Sequence, residues 1–209
     1  GGGQPGNPSS TNGMTIGFQA INQSGEAGSY GGLGGNNHGT NPVYGDFRNP
    51  NELGSGGGGF QGAPAGNGGG LVRIVAQSIV LNGAIRANGG VATSFSAGGS
   101  GGGVRLDVGT LSGIGTISAD GSSGTPGGGG GGSGGRIAIY YQTATQFNFA
   151  NIPAAGGTGS GAPNGGAGTI YLQGPTKENG ELIIDNNDVA IPASSATPIL
   201  TAANTTLSL

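Results

Sequence analysis

Between Leu71 and Gly90 the chain reads LVRIVAQSIVLNGAIRANGG, an alternation of apolar and polar positions with the period of a half-buried strand. Asn82-Gly83 interrupts the pattern and Asn88-Gly89 closes it, as turn residues do between strands. From Arg73 to Arg105, 32 residues on, the pattern returns without a gap as VRLDVGTLSGIGTISADGS. Ile74 then falls on Leu106, Ile79 on Leu111, Gly83 on Gly115, Ile85 on Ile117 and Asn88 on Asp120. A third copy opens at Arg136 (RIAIYY) and a fourth at Thr169 (TIYLQ), after steps of 31 and 33 residues. Units this short cannot bury their own apolar face and gain a core by stacking on one another.

Alternation predicts an interior ladder of Ile74, Leu106, Ile137 and Ile170, with Ala76, Val108, Ile139 and Leu172 two residues further on. The opposite face then carries Arg73, Arg105, Arg136 and Thr169, followed by Val75, Asp107, Ala138 and Tyr171. Asn and Gly at the corners suggest backbone in the positive-φ region. Copies stacked with unchanged direction make parallel strands, which need a return connection of about a dozen residues or more. Residues 91–103, 122–135 and 156–168 supply it and hold almost no helix formers. The expected fold is therefore all-β, a parallel β-solenoid (β-helix) with glycine-rich return loops. The glycine run 127–132 has two readings, a flexible loop or an extended polyproline-II strand packed where any Cβ would clash. Several such runs per repeat favour the second.

Three segments follow. Residues 1–70 form a Gly/Asn-rich lead-in packed on the solenoid, with MTIGFQAI (14–21) as a candidate strand and YGDFRNPNELGSGGGGF (44–60) as a surface loop pinned by its aromatics. Residues 71–173 are the solenoid repeats. Residues 174–209 hold a polar turn, GPTKENG, a strand over Leu182–Asp185, and a β-prone tail that caps the solenoid or joins another subunit.

Composition changes this picture little. With 54 Gly and 11 Pro in 209 residues the chain borders on low complexity, yet only 7% of residues are charged and the net charge is −3, too little self-repulsion for disorder. Cysteine is absent, so any extracellular stability rests on packing or assembly. Gly1 opens the sequence with no charged or apolar leader behind it, as in a processed chain or an excerpt. No apolar run approaches the ~18 residues of a membrane span, and a pI near 4.8 with six basic residues argues against nucleic acid.

Candidate chemistry is sparse. His38 in GGNNHGTN is the sole histidine, without the strand-turn-helix setting of a nucleophile, and no zinc set exists without Cys. Asp107 and Asp120 are the acids of the repeats; Asp107 neutralises Arg105 two residues away, and Asp120 stands in for Asn88 at a corner. G-x-G-x-x-G recurs by chance in so glycine-rich a chain, and no phosphate loop follows. Asp185 to Asp188 reads as a polar turn rather than a calcium site, since the spaced oxygen pattern is missing. No enzyme activity, metal or cofactor is expected. Arg73, Arg105 and Arg136, with Tyr140 and Tyr171 beside them, form a row that could contact a ligand or a subunit. Asn22-Gln-Ser and Asn204-Thr-Thr match the short glycosylation triplet.

AQSIVLNGAIRANGG, GTLSGIGTISADG, GGGGSGGRIAIYY and GGAGTIYLQ together resemble the glycine-rich β-helical repeat segments of very large bacterial surface and secreted, adhesin-like proteins, over roughly residues 44–190. The resemblance implies an extracellular or cell-surface structural or adhesive role and transfers no catalytic residue. The expected function is a non-enzymatic rod or filament-forming module that self-associates. The alternative is a carbohydrate-binding module recognising a surface polysaccharide through Arg73, Arg105, Tyr140 and Tyr171.

Overall fold

The computed structural model describes residues 25–36, 42–60 and 63–199. The candidate strand at 14–21, His38, both glycosylation triplets and the tail beyond Ile199 lie outside the described residues. Among the described residues seven strands form: β1 Leu71–Val80, β2 Ala84–Arg86, β3 Gly103–Ser112, β4 Thr116–Ser118, β5 Arg136–Thr145, β6 Thr169–Gly174 and β7 Lys177–Ile183. The main sheet runs β1-β3-β5-β6-β7, parallel except for β7, and β2 pairs with β4 in a second, two-stranded parallel sheet. This is the expected β-solenoid. Its core lies between the two sheets, with Val104, Leu106, Leu111, Ile117, Ile137, Ile139 and Leu172 shut off from solvent.

Register corrects one expectation. Val72, Val104, Ile137 and Ile170 form one ladder, and Ile74, Leu106, Ile139 and Leu172 the next. The third coil thus starts two residues later than the arginine match implied, at Arg136 rather than Gly134, and Arg136 stands opposite Gly103 and Thr169, not opposite Arg105. A slip of two residues leaves every side chain on its face, so the core membership survives while the arginine row does not.

The return limbs are not loose. Within 130–135 all six N–H groups are used on three neighbouring segments at a spacing of three residues. Gly130 and Ser133 donate to the carbonyls of Gly25 and Gly28, Gly131 and Gly134 to those of Pro163 and Gly166, and Gly132 and Gly135 to those of Ser122 and Ala119, at 2.7–3.1 Å. A Cβ at Gly131, Gly132 or Gly134 would overlap a neighbouring carbonyl oxygen, so the composition follows from how closely these backbones approach. Residues 25–35, 54–58 and 66–69 of the lead-in are woven into this bundle.

One glycine column joins bundle to sheet. The N–H groups of Gly103, Arg136 and Thr169 bond to the carbonyls of Gly70, Gly102 and Gly135, at 3.0–3.1 Å, and a Cβ on Gly102, Gly135 or Gly168 would strike that same carbonyl of the coil before.

Two further expectations are corrected. Of the bend and corner residues singled out, none has positive φ; Gly113 beside them does. Side chains hold these corners, Asn88 Oδ1 accepting from Asp120 N at 3.0 Å and Asp120 Oδ1 from Ala155 N at 2.9 Å. After Gly174 the turn is confined to Pro175-Thr176, and the segment expected as a polar turn is most of β7, which folds back antiparallel on β6. Gly180 (φ 77°) leaves the space that the Tyr171 hydroxyl occupies.

Candidate functional site

The face opposite the core is covered over its centre. Residues 43–53 cross it, and Phe47 packs edge-on against Tyr171 at 5.7 Å while Tyr171 lies 5.8 Å from Tyr140. The Arg48 guanidinium sits 4.5 Å from the Phe47 ring centre, and the Tyr140 hydroxyl donates to the Arg48 carbonyl at 2.7 Å. Residues 44–53 are thus the aromatic-pinned surface loop expected, whereas 54–59, expected as part of the same loop, are buried in the glycine bundle because their backbones pair with neighbouring limbs.

This cover divides the five residues of the expected row. Arg73 is exposed, and its Nη1 reaches Asn49 Oδ1 at 3.5 Å. Arg105 grips Asp107 with two bonds, 2.7 and 2.8 Å, and lies 4.8 Å from the Tyr140 ring centre. The hydrogen bonds from Arg105 hold the Asp107 carboxyl below its ordinary pKa, and the carboxylate raises that of Arg105 in turn. Tyr140 is half-buried, which raises its pKa. Tyr171 is buried at 4% exposure.

Arg136 departs furthest from the expected outer-face row, at 1% exposure. Its Nε donates to the Tyr44 carbonyl at 2.9 Å, Nη1 to the Thr169 hydroxyl at 3.2 Å and Nη2 to the Tyr30 carbonyl at 3.4 Å. Burial lowers its pKa and pushes that of Tyr30 far up. Arg136 clamps the lead-in to the sheet, so Arg136 and Tyr171 are internal contacts. The row presents Arg73 and parts of Arg105 and Tyr140 to solvent.

The solenoid's two ends differ. β7 closes one with a charged strand in which Lys177 pairs with Glu181. At the other, β1 is the edge strand among the described residues; Val72, Ile74, Ile79 and Ile85 are only partly buried, whereas their equivalents Val104, Leu106, Leu111 and Ile117 are fully so. Val75 and Val80 are 75% and 70% exposed. Gly70 and Gly83, which head the columns continued by Gly102 and Gly115, have nothing within 4 Å of where a Cβ would stand.

A groove of about 590 Å³ opens beside β4. Coils two and three match at a step of 33 along β3 and β5, yet their corners match at 35, Asp120 with Ala155. The two extra residues are absorbed by Gln146 (φ 62°) and a 3-10 turn, Phe149–Asn151, whose N-terminus is capped by Asn148 Oδ1 at 3.0 Å. That turn stands where a third strand would have paired with β4. Sequence reasoning missed the groove; the longer spacing from RIAIYY to PAAGG was its only trace. Asp185 to Asp188 forms the polar turn expected, Asn186 accepting from Gly156 N at 2.7 Å and donating to the Gly165 and Val189 carbonyls.

Compared with protein-family models, with curated proteins and with solved structures, the chain matches none.

Proposed function

We propose that this chain is a non-enzymatic structural module of the extracellular space or cell surface, a stiff rod whose copies join through the open first coil. The observation that carries the reading is the contrast between that coil and the next. Coil one has the sequence of an interior coil, apolar at the positions that coil two buries fully and glycine at Gly70 and Gly83, where coil two needs glycine to admit a neighbour's carbonyl. An apolar ten-residue edge with no partner on its outer side among the described residues is a template for another chain. The opposite edge, β7, carries Lys177, Glu178 and Glu181, which deter pairing. The association that results is two-fold, β1 against β1 of a second copy.

Stiffness has its own support. The three-residue spacing of donors in the limbs is the period of polyproline II, and such segments locked by backbone hydrogen bonds leave little to bend or to cleave. The resemblance to glycine-rich β-helical surface proteins supports the location.

Sedimentation of the purified chain over a hundredfold concentration range tests the reading. Association that Ile74→Lys with Val75→Lys abolishes supports it, and a monomer throughout the range overturns it.

A further inference from the structure

We propose that the groove between β4 and the Phe149–Asn151 turn is a binding site for a neutral saccharide chain. The site shares the first coil with the self-association just argued, through Arg86 and Asn88, but uses no residue of β1 and none of Arg73, Arg105, Tyr140 or Tyr171.

The groove's origin is the first argument. A solenoid coil that kept the step of 33 would have laid its backbone along β4 and filled the space. Two added residues instead lift the chain into a short helical turn fixed by its Asn148 cap, which makes the opening a built feature of the fold.

The second argument is the state of the lining side chains. Arg86 and Thr116 line the groove, are exposed, and make no side-chain hydrogen bond among the described residues. Asn88 and Asp120 each spend one oxygen on the corner ladder, Asn88 on Asp120 N and Asp120 on Ala155 N. The amide nitrogen of Asn88 and the second carboxylate oxygen of Asp120 remain to serve a ligand. Phe149, half-buried, contributes an apolar wall.

The chemistry of this set selects the ligand class. Donors (Arg86, Asn88, Thr116) and acceptors (Asp120, Asp185) are interspersed along an apolar wall, which suits a molecule with many hydroxyls and apolar ring faces. Two carboxylates against one guanidinium disfavour an anionic ligand such as a phosphate or an acidic glycan. No group of three His, Cys, Asp or Glu able to hold a metal exists among the described residues. The volume lies within the range of small-molecule clefts, about 300–1,000 Å³.

Calorimetric titration of the full chain with cellohexaose, mannohexaose and chitohexaose, each to about 10 mM, tests the site over the weak affinities expected of an open groove. The expected result is saturable binding of at least one probe, weakened about tenfold or more by Arg86→Ala, a loss of about 1.4 kcal/mol. Thr116→Val, which removes the hydroxyl and keeps the shape, should weaken it also, and Arg73→Ala should leave it unchanged. No saturable binding of any probe overturns the proposal, as does binding that survives Arg86→Ala with Thr116→Val within twofold, or that is lost in Arg73→Ala. Thermal unfolding of each variant guards against misreading a damaged fold. Since neither groove variant touches β1, sedimentation of the same samples shows independently whether the structural reading stands.

Discussion

The guanidinium of Arg136 lies 5.5 Å from the ring centre of Tyr30, a residue 106 positions away, and its Nη2 donates to the Tyr30 carbonyl. No carboxylate lies within ion-pair distance of it among the described residues. Carbonyls, a hydroxyl and an aromatic face therefore solvate a buried charge, the arrangement that makes its removal costly. Arg136→Met should destabilise the fold by about 3 kcal/mol, since it leaves buried acceptors unmet. Arg136→Lys should recover only part of that because a lysine lacks the fork. Urea unfolding midpoints at constant slope would measure both.

The same cluster predicts alkaline sensitivity. Burial pushes the Tyr44 hydroxyl up to about 12 and Tyr30 further. A phenol whose pKa is raised on folding contributes stability that is complete below its unfolded value, near 10, and is lost as pH rises towards the folded value. The urea midpoint should therefore fall above about pH 10. Tyr30→Phe, which also loses the bond from its hydroxyl to Glu52, should flatten that fall.

Asp107 gives the opposite sign. Its pKa is lowered by hydrogen bonds from Arg105, so its contribution is present above the ordinary carboxylate value and disappears as pH falls through the lowered one. Both partners keep partial contact with solvent, so Asp107→Asn should cost no more than about 1 kcal/mol at neutral pH, and wild type and variant should converge in acid.

Burial raises the pKa of Asp120, a carboxyl whose acceptor role at the corner an amide would fill as well. Asn88 already fills that role one coil earlier. Asp120→Asn should stabilise the fold at neutral pH, with the gain shrinking as pH falls and Asp120 takes up a proton.

Glycines should separate by position. Gly132→Ala drives a methyl into the Gly99 carbonyl and should abolish cooperative folding, while Gly70→Ala meets open space and should leave the monomer's thermal midpoint unchanged. Loss of self-association in Gly70→Ala, measured by sedimentation, is the expected second effect.

The residues of one face were legible in the chain because a strand's period of two is a local property. Ile74 with Leu106 and Ile85 with Ile117 could be paired from spacing alone, since both copies keep the same length. Matching arginine to arginine sets the third coil two residues out of register, because Arg136 is an arginine for a reason unrelated to Arg105.

Parallel coils and their inward apolar residues are written in short-range patterning repeated at near-constant length, whereas that patterning left the glycine limbs open between a loose loop and a packed strand. Which of the outward residues meet water depends instead on contacts between segments far apart in the chain. Tyr140 meets Arg48 across 92 positions, and Arg136 meets Tyr44 across 92. No local period encodes such contacts, so the covering of Tyr171, the burial of Arg136 and the opening of the groove follow from where the lead-in and the third coil come to rest in space.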